Sequence, residues 1–194
     1  EWQLAPTLDE IREPMGMLKW DHINTMLAMP RLSASFRERY HREHCRQDVD
    51  KMYGIFESKL MAILADYTQP KPYVLETAAS LRERGVRIGS TTGYTDKMME
   101  VVTAGAKKQG YEPDAWFSPN STDNMGRPYP YMIFKNMMEL KLSAVDRILK
   151  VGDTVSDILE GKNAGVLTAG IVEGSSEMGL GMEEYEALPE QEKE

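Results

Sequence analysis

Lys19 and His22 stand three residues apart in the segment Pro14-Met15-Gly16-Met17-Leu18-Lys19-Trp20-Asp21-His22, and on a helix that spacing puts both on one face. The lysine is set among apolar residues. An ammonium taken out of water loses proton affinity, and the free amine that results is the nucleophile imine chemistry needs. The plainer alternative is a surface lysine whose stem lies over Met and Leu. A second candidate is Ser90-Thr91-Thr92-Gly93-Tyr94-Thr95, a hydroxyl-rich turn leading into a helix, where backbone N–H groups and hydroxyls can hold a phosphate-like group; threonines there also serve as plain N-caps. A third is Gly126-Arg127-Pro128-Tyr129-Pro130, which offers a guanidinium to a phosphoryl oxygen just before a helix that a proline can open at its first turn, or else an exposed loop arginine. The fourth is Lys150-Val151-Gly152-Asp153-Thr154-Val155-Ser156-Asp157. Its two aspartates, four apart across a strand-to-helix turn, are hard oxygen donors of the kind that suits Mg²⁺; an Asp N-cap with a solvated neighbour is the alternative.

These groups need elements to hold them, and two compositional regimes supply them. Up to Gln69-Pro70-Lys71-Pro72 the chain reads as helix: Thr7-Leu8-Asp9-Glu10 has capping-box spacing, and Val49, Met52, Tyr53, Phe56, Leu60, Ile63 and Leu64 recur at helical intervals. The paired prolines break any helix, and a domain boundary is expected there, with a helical domain at 1–68 and an α/β domain at 69–194. Downstream a helix through Leu81 closes at Gly85, a strand is expected from Val86 to Gly89, and another helix begins near Asp96. Two further apolar runs, Ile148 to Val151 and Val166 to Val172, flank a helical stretch. That rhythm is α/β with a parallel sheet, and open parallel sheets bind ligands at the ends of their strands, where the candidate turns lie.

Composition narrows the partners. The 194 residues carry a formal net charge of -8, which repels nucleic acid and anionic membranes, so an anionic substrate must meet a local positive site. The one cysteine, Cys45, cannot form an internal disulfide, and no apolar run is long enough to span a bilayer; a reduced cytoplasm is the expected setting. Glu1 is not an initiator methionine and the first residues lack the pattern of a signal peptide, so the chain reads as an excerpt that starts downstream of its true beginning.

In order, the turns after Gly89, at Arg127 and after Val151 resemble the second, third and fourth motifs of the haloacid dehalogenase superfamily, phosphoryl-transfer enzymes with a Rossmann-like core and an inserted cap. The Met-Gly-x-Leu-Lys-x-Asp-His segment makes the resemblance specific to the phosphonatase family within it, from about Leu8 to Gly181. The resemblance implies a helical cap at 1–68, a Rossmann-like core at 69–194 and hydrolysis of the carbon–phosphorus bond of an aldehyde phosphonate. It implies that Lys19 forms the Schiff base, that His22 moves protons during imine formation, and that Met15 and Gly16 line the cap side. Thr92, Gly93 and Tyr94 would bind the phosphonate, Arg127 would fill the conserved cationic role, and Asp153 with Asp157 would hold Mg²⁺. A homodimer through the cap is expected. A phosphomonoesterase or mutase on the same fold, or a truncated scaffold without activity, are the other readings.

The superfamily's nucleophilic aspartate belongs to a first motif at the end of an opening strand, and no Asp-x-x-Gly-Thr pattern occurs in this chain. Asp9 and Asp21 fall in the helical part and do not fit that role. The opening strand normally lies mid-sheet between the Val86 and Ile148 strands, so a gap, or another segment filling it, is expected between the strands near Gly89 and Val151.

Overall fold

The computed structural model describes residues 2–193. Four helices come first: α1 (Leu8–Arg12), α2 (Lys19–Ala28), α3 (Pro30–Tyr40) and α4 (Arg46–Ile63). Thr7 opens α1 with the expected capping box, its side chain accepting from the Glu10 amide while the Glu10 carboxylate accepts from the Thr7 amide. Leu27, Phe36 and Val49, at most 3% exposed, bring α2, α3 and α4 together, with Trp2, Trp20, Tyr40 and Met52 packed around them. At the turn into α4, the buried Asp48 accepts from both terminal nitrogens of Arg42 at 2.6 and 2.7 Å and from the Cys45 amide at 2.9 Å. The Arg42 hydrogen bonds hold its carboxyl well below the usual range.

After a single 3₁₀ turn, Leu64–Tyr67, the order becomes α5 (Val74–Glu83), β1 (Gly89–Thr91), α6 (Asp96–Lys108), β2 (Ala115–Phe117), α7 (Tyr131–Glu139), β3 (Leu149–Gly152), α8 (Val155–Ala164) and β4 (Leu167–Gly170), then the short helices α9 (Met182–Glu186) and α10 (Glu190–Lys193). β1 pairs parallel with β2, and β3 with β4. Ile133 on α7 packs with Ala164 at the end of α8 and with Val166 and Ile148 beside β4 and β3.

Among the described residues, the two ribbons are separate sheets with no ladder between β1 and β3. That is the expected gap. Apolar surface is open accordingly: Leu149 and Val151 on β3 and Leu167 on β4 are each about half exposed or more. The first strand differs from its sequence expectation. It runs Gly89–Thr91 and not Val86–Gly89, because its partner Ala115–Phe117 lies opposite those residues and leaves Val86 exposed. The helix after Arg127 also starts later than expected, at Tyr131 with Pro130 as its cap.

Candidate active site

The helical part meets the α/β part through the loop before α2. Gly16 has φ +87°, a left-handed conformation that disfavours a side chain, and it sits so close to Thr154 that a Cβ would collide with that hydroxyl. Opposite, the buried Gly93 faces the backbone of the same loop: a Cβ there would lie 2.5 Å from the Met17 carbonyl oxygen and 2.7 Å from that of Gly16. The Met15–Met17 loop is therefore clamped between the turn after β1 and the turn after β3. The first contact sets Gly16 against the Thr154 side chain and the second sets Gly93 against loop backbone, so at both points a glycine allows an approach that a Cβ would prevent.

This clamp places the first residues of α2 over the end of β1. Lys19 opens the helix and is half-buried. Its Nζ lies 4.0 Å from Met15 Sδ and 5.7 Å from the centre of the Tyr94 ring. Burial lowers its proton affinity, and the Arg127 guanidinium lowers it further. His22 follows one turn on, buried, with no hydrogen-bond partner at Nδ1 among the described residues. Burial first, and then the Lys19 charge, push its pKa down to about 4 against an opposing backbone contact at Ile11; the ring is neutral near neutral pH. Burial pushes the Tyr94 phenol up. In the β1–α6 turn, the Thr92 hydroxyl accepts from the Tyr94 amide at 3.0 Å, fixing the loop that carries Gly93.

Across the gap lies a cluster of charges. Arg127, its side chain 10% exposed, donates to the Thr91 carbonyl at 2.6 Å, and pairs with Asp157 at 3.0 Å and Glu160 at 3.2 Å. Lys150 joins the same two carboxylates and the Thr91 hydroxyl. For Asp157, burial pushes the pKa up, but the charges of Arg127 and Lys150 and the hydrogen bonds from Lys150 and Thr154 outweigh it and hold the carboxyl below its usual range. The Asp153 carboxylate turns instead to Ser176, accepting from its amide at 2.9 Å and its hydroxyl at 2.8 Å. Lys19, Tyr94, Arg127 and Asp157 thus fall in one region, with Asp153 at its edge. Arg127 differs from expectation in that its donors are engaged by protein groups.

Lys150 and Glu160 escaped the sequence reading. The signal was present: a lysine inside the apolar run Ile148 to Val151, and a glutamate one turn past Asp157 on the same face of α8.

Residues 9–165 match the family described as haloacid dehalogenase-like hydrolase. The chain is 53% identical over 188 residues to a phosphonoacetaldehyde hydrolase of Parabacteroides distasonis, covering 97% of this chain and 71% of that protein. With the enzyme of the same name from Lysinibacillus sphaericus it is 54% identical over 189 residues, covering 97% and 70%. It belongs to the phosphonoacetaldehyde hydrolase family. The crystal structure of a phosphonoacetaldehyde hydrolase-like protein from Oleispira antarctica superposes with a TM-score of 0.88 at 34% identity, over 97% of this chain and 68% of that one. A haloacid dehalogenase-like hydrolase from Bacteroides fragilis, 18% identical with a TM-score of 0.59, shares the fold. Membership agrees with the α/β core of parallel strands, and among the described residues no helix is long and apolar enough to cross a membrane.

The donor chemistry of the aspartates suits Mg²⁺. Among the described residues no group of three or more His, Cys, Asp or Glu side chains forms a cage, but Mg²⁺ commonly takes one or two carboxylates and keeps water or substrate oxygens for the rest.

Proposed function

We propose that the chain acts in hydrolysis of the carbon–phosphorus bond of phosphonoacetaldehyde to acetaldehyde and phosphate, with Lys19 as the amine that condenses with the aldehyde. The observation that carries this reading is the place of the Lys19 amine, half-buried between Met15 and the Tyr94 ring and near Arg127, above the turn that follows β1. A generic phosphomonoesterase has no use for a depressed amine there. The names of the relatives point to the same substrate.

Lys19 nitrogen adds to the aldehyde carbon, a proton passes from nitrogen to the new oxygen, and with one further proton delivered to that hydroxyl water leaves to give a protonated imine. His22, neutral and with an unpartnered Nδ1 on the same helix face, is suited to accept and return those protons. The protonated imine is an electron sink: it receives the electron pair of the breaking carbon–phosphorus bond and becomes an enamine, while the phosphoryl group passes to an oxygen nucleophile and in the end to water, giving phosphate. Protonation at carbon and hydrolysis of the imine then release acetaldehyde and restore the amine. Thr92, Gly93 and Tyr94 are assigned to the phosphonate oxygens and Arg127 to their charge, while Met15 and Gly16 form the facing wall. Asp153 and Asp157 would hold Mg²⁺, which when bound supplies positive charge against the phosphoryl oxygens. These residues account for the electron sink and the anion site; the phosphoryl acceptor is not among them. The same reading includes a cap–core boundary near residue 69 and a homodimer formed through the helical part.

Borohydride reduction in the presence of phosphonoacetaldehyde tests it. Mass should be added at Lys19, and Lys19→Arg, which keeps the charge but forms no imine, should lose the adduct while still binding phosphate. Labelling at another lysine, or none, would overturn the assignment.

A further inference from the structure

Lys150 is a charged residue in the middle of an apolar strand. On β3 its neighbours Leu149 and Val151 are exposed, while the Lys150 side chain is nine-tenths buried in the gap between the ribbons. Its ammonium has three N–H groups and three acceptors: Asp157 Oδ1 at 2.7 Å, Thr91 Oγ1 at 2.8 Å and Glu160 Oε2 at 3.0 Å. Asp157 is fully engaged. Its Oδ1 also takes Arg127 at 3.0 Å, and its Oδ2 takes the Thr154 hydroxyl at 2.6 Å. Two cations and two carboxylates leave this cluster neutral.

We infer that Lys150 is an internal cation that holds Asp157 when metal is absent and releases it to a divalent ion, with Glu160 as the carboxylate that retains the ammonium afterwards. The inference rests on Asp153 and Asp157 being the metal pair proposed above. An ammonium at hydrogen-bond distance and a Mg²⁺ at about 2.0–2.1 Å compete for the same oxygen, and placed together they repel strongly. Release does not strand the lysine, because Glu160 and the Thr91 hydroxyl remain within reach. Glu160 is fully buried, and among the described residues its second oxygen, Oε1, has no hydrogen-bond partner. That vacancy suits the N–H that leaves Asp157. The exchange raises the local charge by two beside the Thr92–Gly93 turn, so oxyanion binding there follows metal binding.

Mn²⁺, which accepts the same oxygen donors, is the probe, titrated into the 194-residue chain and followed by electron paramagnetic resonance. Lys150→Met should bind Mn²⁺ about tenfold more tightly, the factor carried by one charge-assisted hydrogen bond, while melting at a lower temperature in chelator. Glu160→Gln should shift affinity the other way, since the ammonium then has only Asp157 as a charged partner. A merely structural lysine would lower stability without tightening Mn²⁺. Should Lys150→Met not fold, Lys150→Gln, which keeps a hydrogen-bonding end without the charge, replaces it with the same expected sign. Unchanged or weaker Mn²⁺ affinity in a folded Lys150 variant, with Asp157→Asn abolishing binding, overturns the exchange alone. Undiminished binding in Asp157→Asn overturns the metal pair and the exchange together.

Discussion

Alanine at position 93 probes how closely the helical and α/β parts must approach. A Cβ on Gly93 would lie 2.5 Å from the Met17 carbonyl oxygen, 2.7 Å from that of Gly16 and 3.0 Å from the Met17 carbonyl carbon. All three are backbone atoms, so no rotamer change relieves the clash. The loop must retreat by about 0.9 Å to restore an ordinary contact of 3.4 Å. Overpacking of this kind costs about 1–3 kcal/mol, which in a chain of this length lowers the melting temperature by roughly 2–12 °C. The larger effect is on chemistry, because Lys19 moves with the loop, and a displacement near 1 Å can slow a positioned reaction by about a hundredfold. Gly93→Ala should therefore remain folded by circular dichroism, melt several degrees lower, and lose most of its borohydride-trapped adduct at Lys19. If the variant melts within a degree of the parent and traps aldehyde at the parent rate, the loop does not set the position of the amine and the reasoning is wrong.

Two other outcomes concern buried groups of the helical part. His22 has a folded pKa of about 4 against an ordinary 6.5, so between those values the unfolded chain takes up a proton that the folded chain refuses. Stability should fall as the pH drops through that window, and the loss is complete below it; thermal melts across the range should show a shallower fall for His22→Gln, and parallel profiles would refute the burial argument. Asp48→Asn removes a charged acceptor from both Arg42 nitrogens and the Cys45 amide, at a cost of about 1.5–3 kcal/mol. Because Arg42 is half exposed, the lower end is expected, read by urea denaturation with trapping at Lys19 unaffected.

What the sequence made legible was local. The spacing of Lys19 and His22, the capping box at Thr7 and the stop at Gly85 depend on residues within a turn or two of each other, and helices express such periodicities directly. The strand at Gly89 was misplaced because its limits are set by pairing with Ala115–Phe117, a three-residue strand too short to announce itself. The gap between ribbons was legible from an absent motif. Lys150 and Glu160 were visible as anomalies, but their shared partner Thr91 is 59 and 69 residues away; such a meeting exists only after folding. Gly16 read as a wall of the site, and its tight fit against Thr154 depends on a φ that no spacing rule supplies.

The separation of the two ribbons changes how the molecule holds itself together. In a continuous sheet, neighbouring strands are joined by peptide hydrogen bonds that are alike in every sequence and largely indifferent to dissolved ions. Here the join between β1 and β3 is made by side chains, the Lys150 ammonium and Arg127 guanidinium reaching Thr91 from one side and two carboxylates from the other. It is a rivet where a seam would be. The join is made of charged, replaceable groups, and α7 backs it from behind, its Asn136 amide donating to the Ser90 carbonyl on β1 while its Ile133 packs against Ala164 and Val166 beside β4.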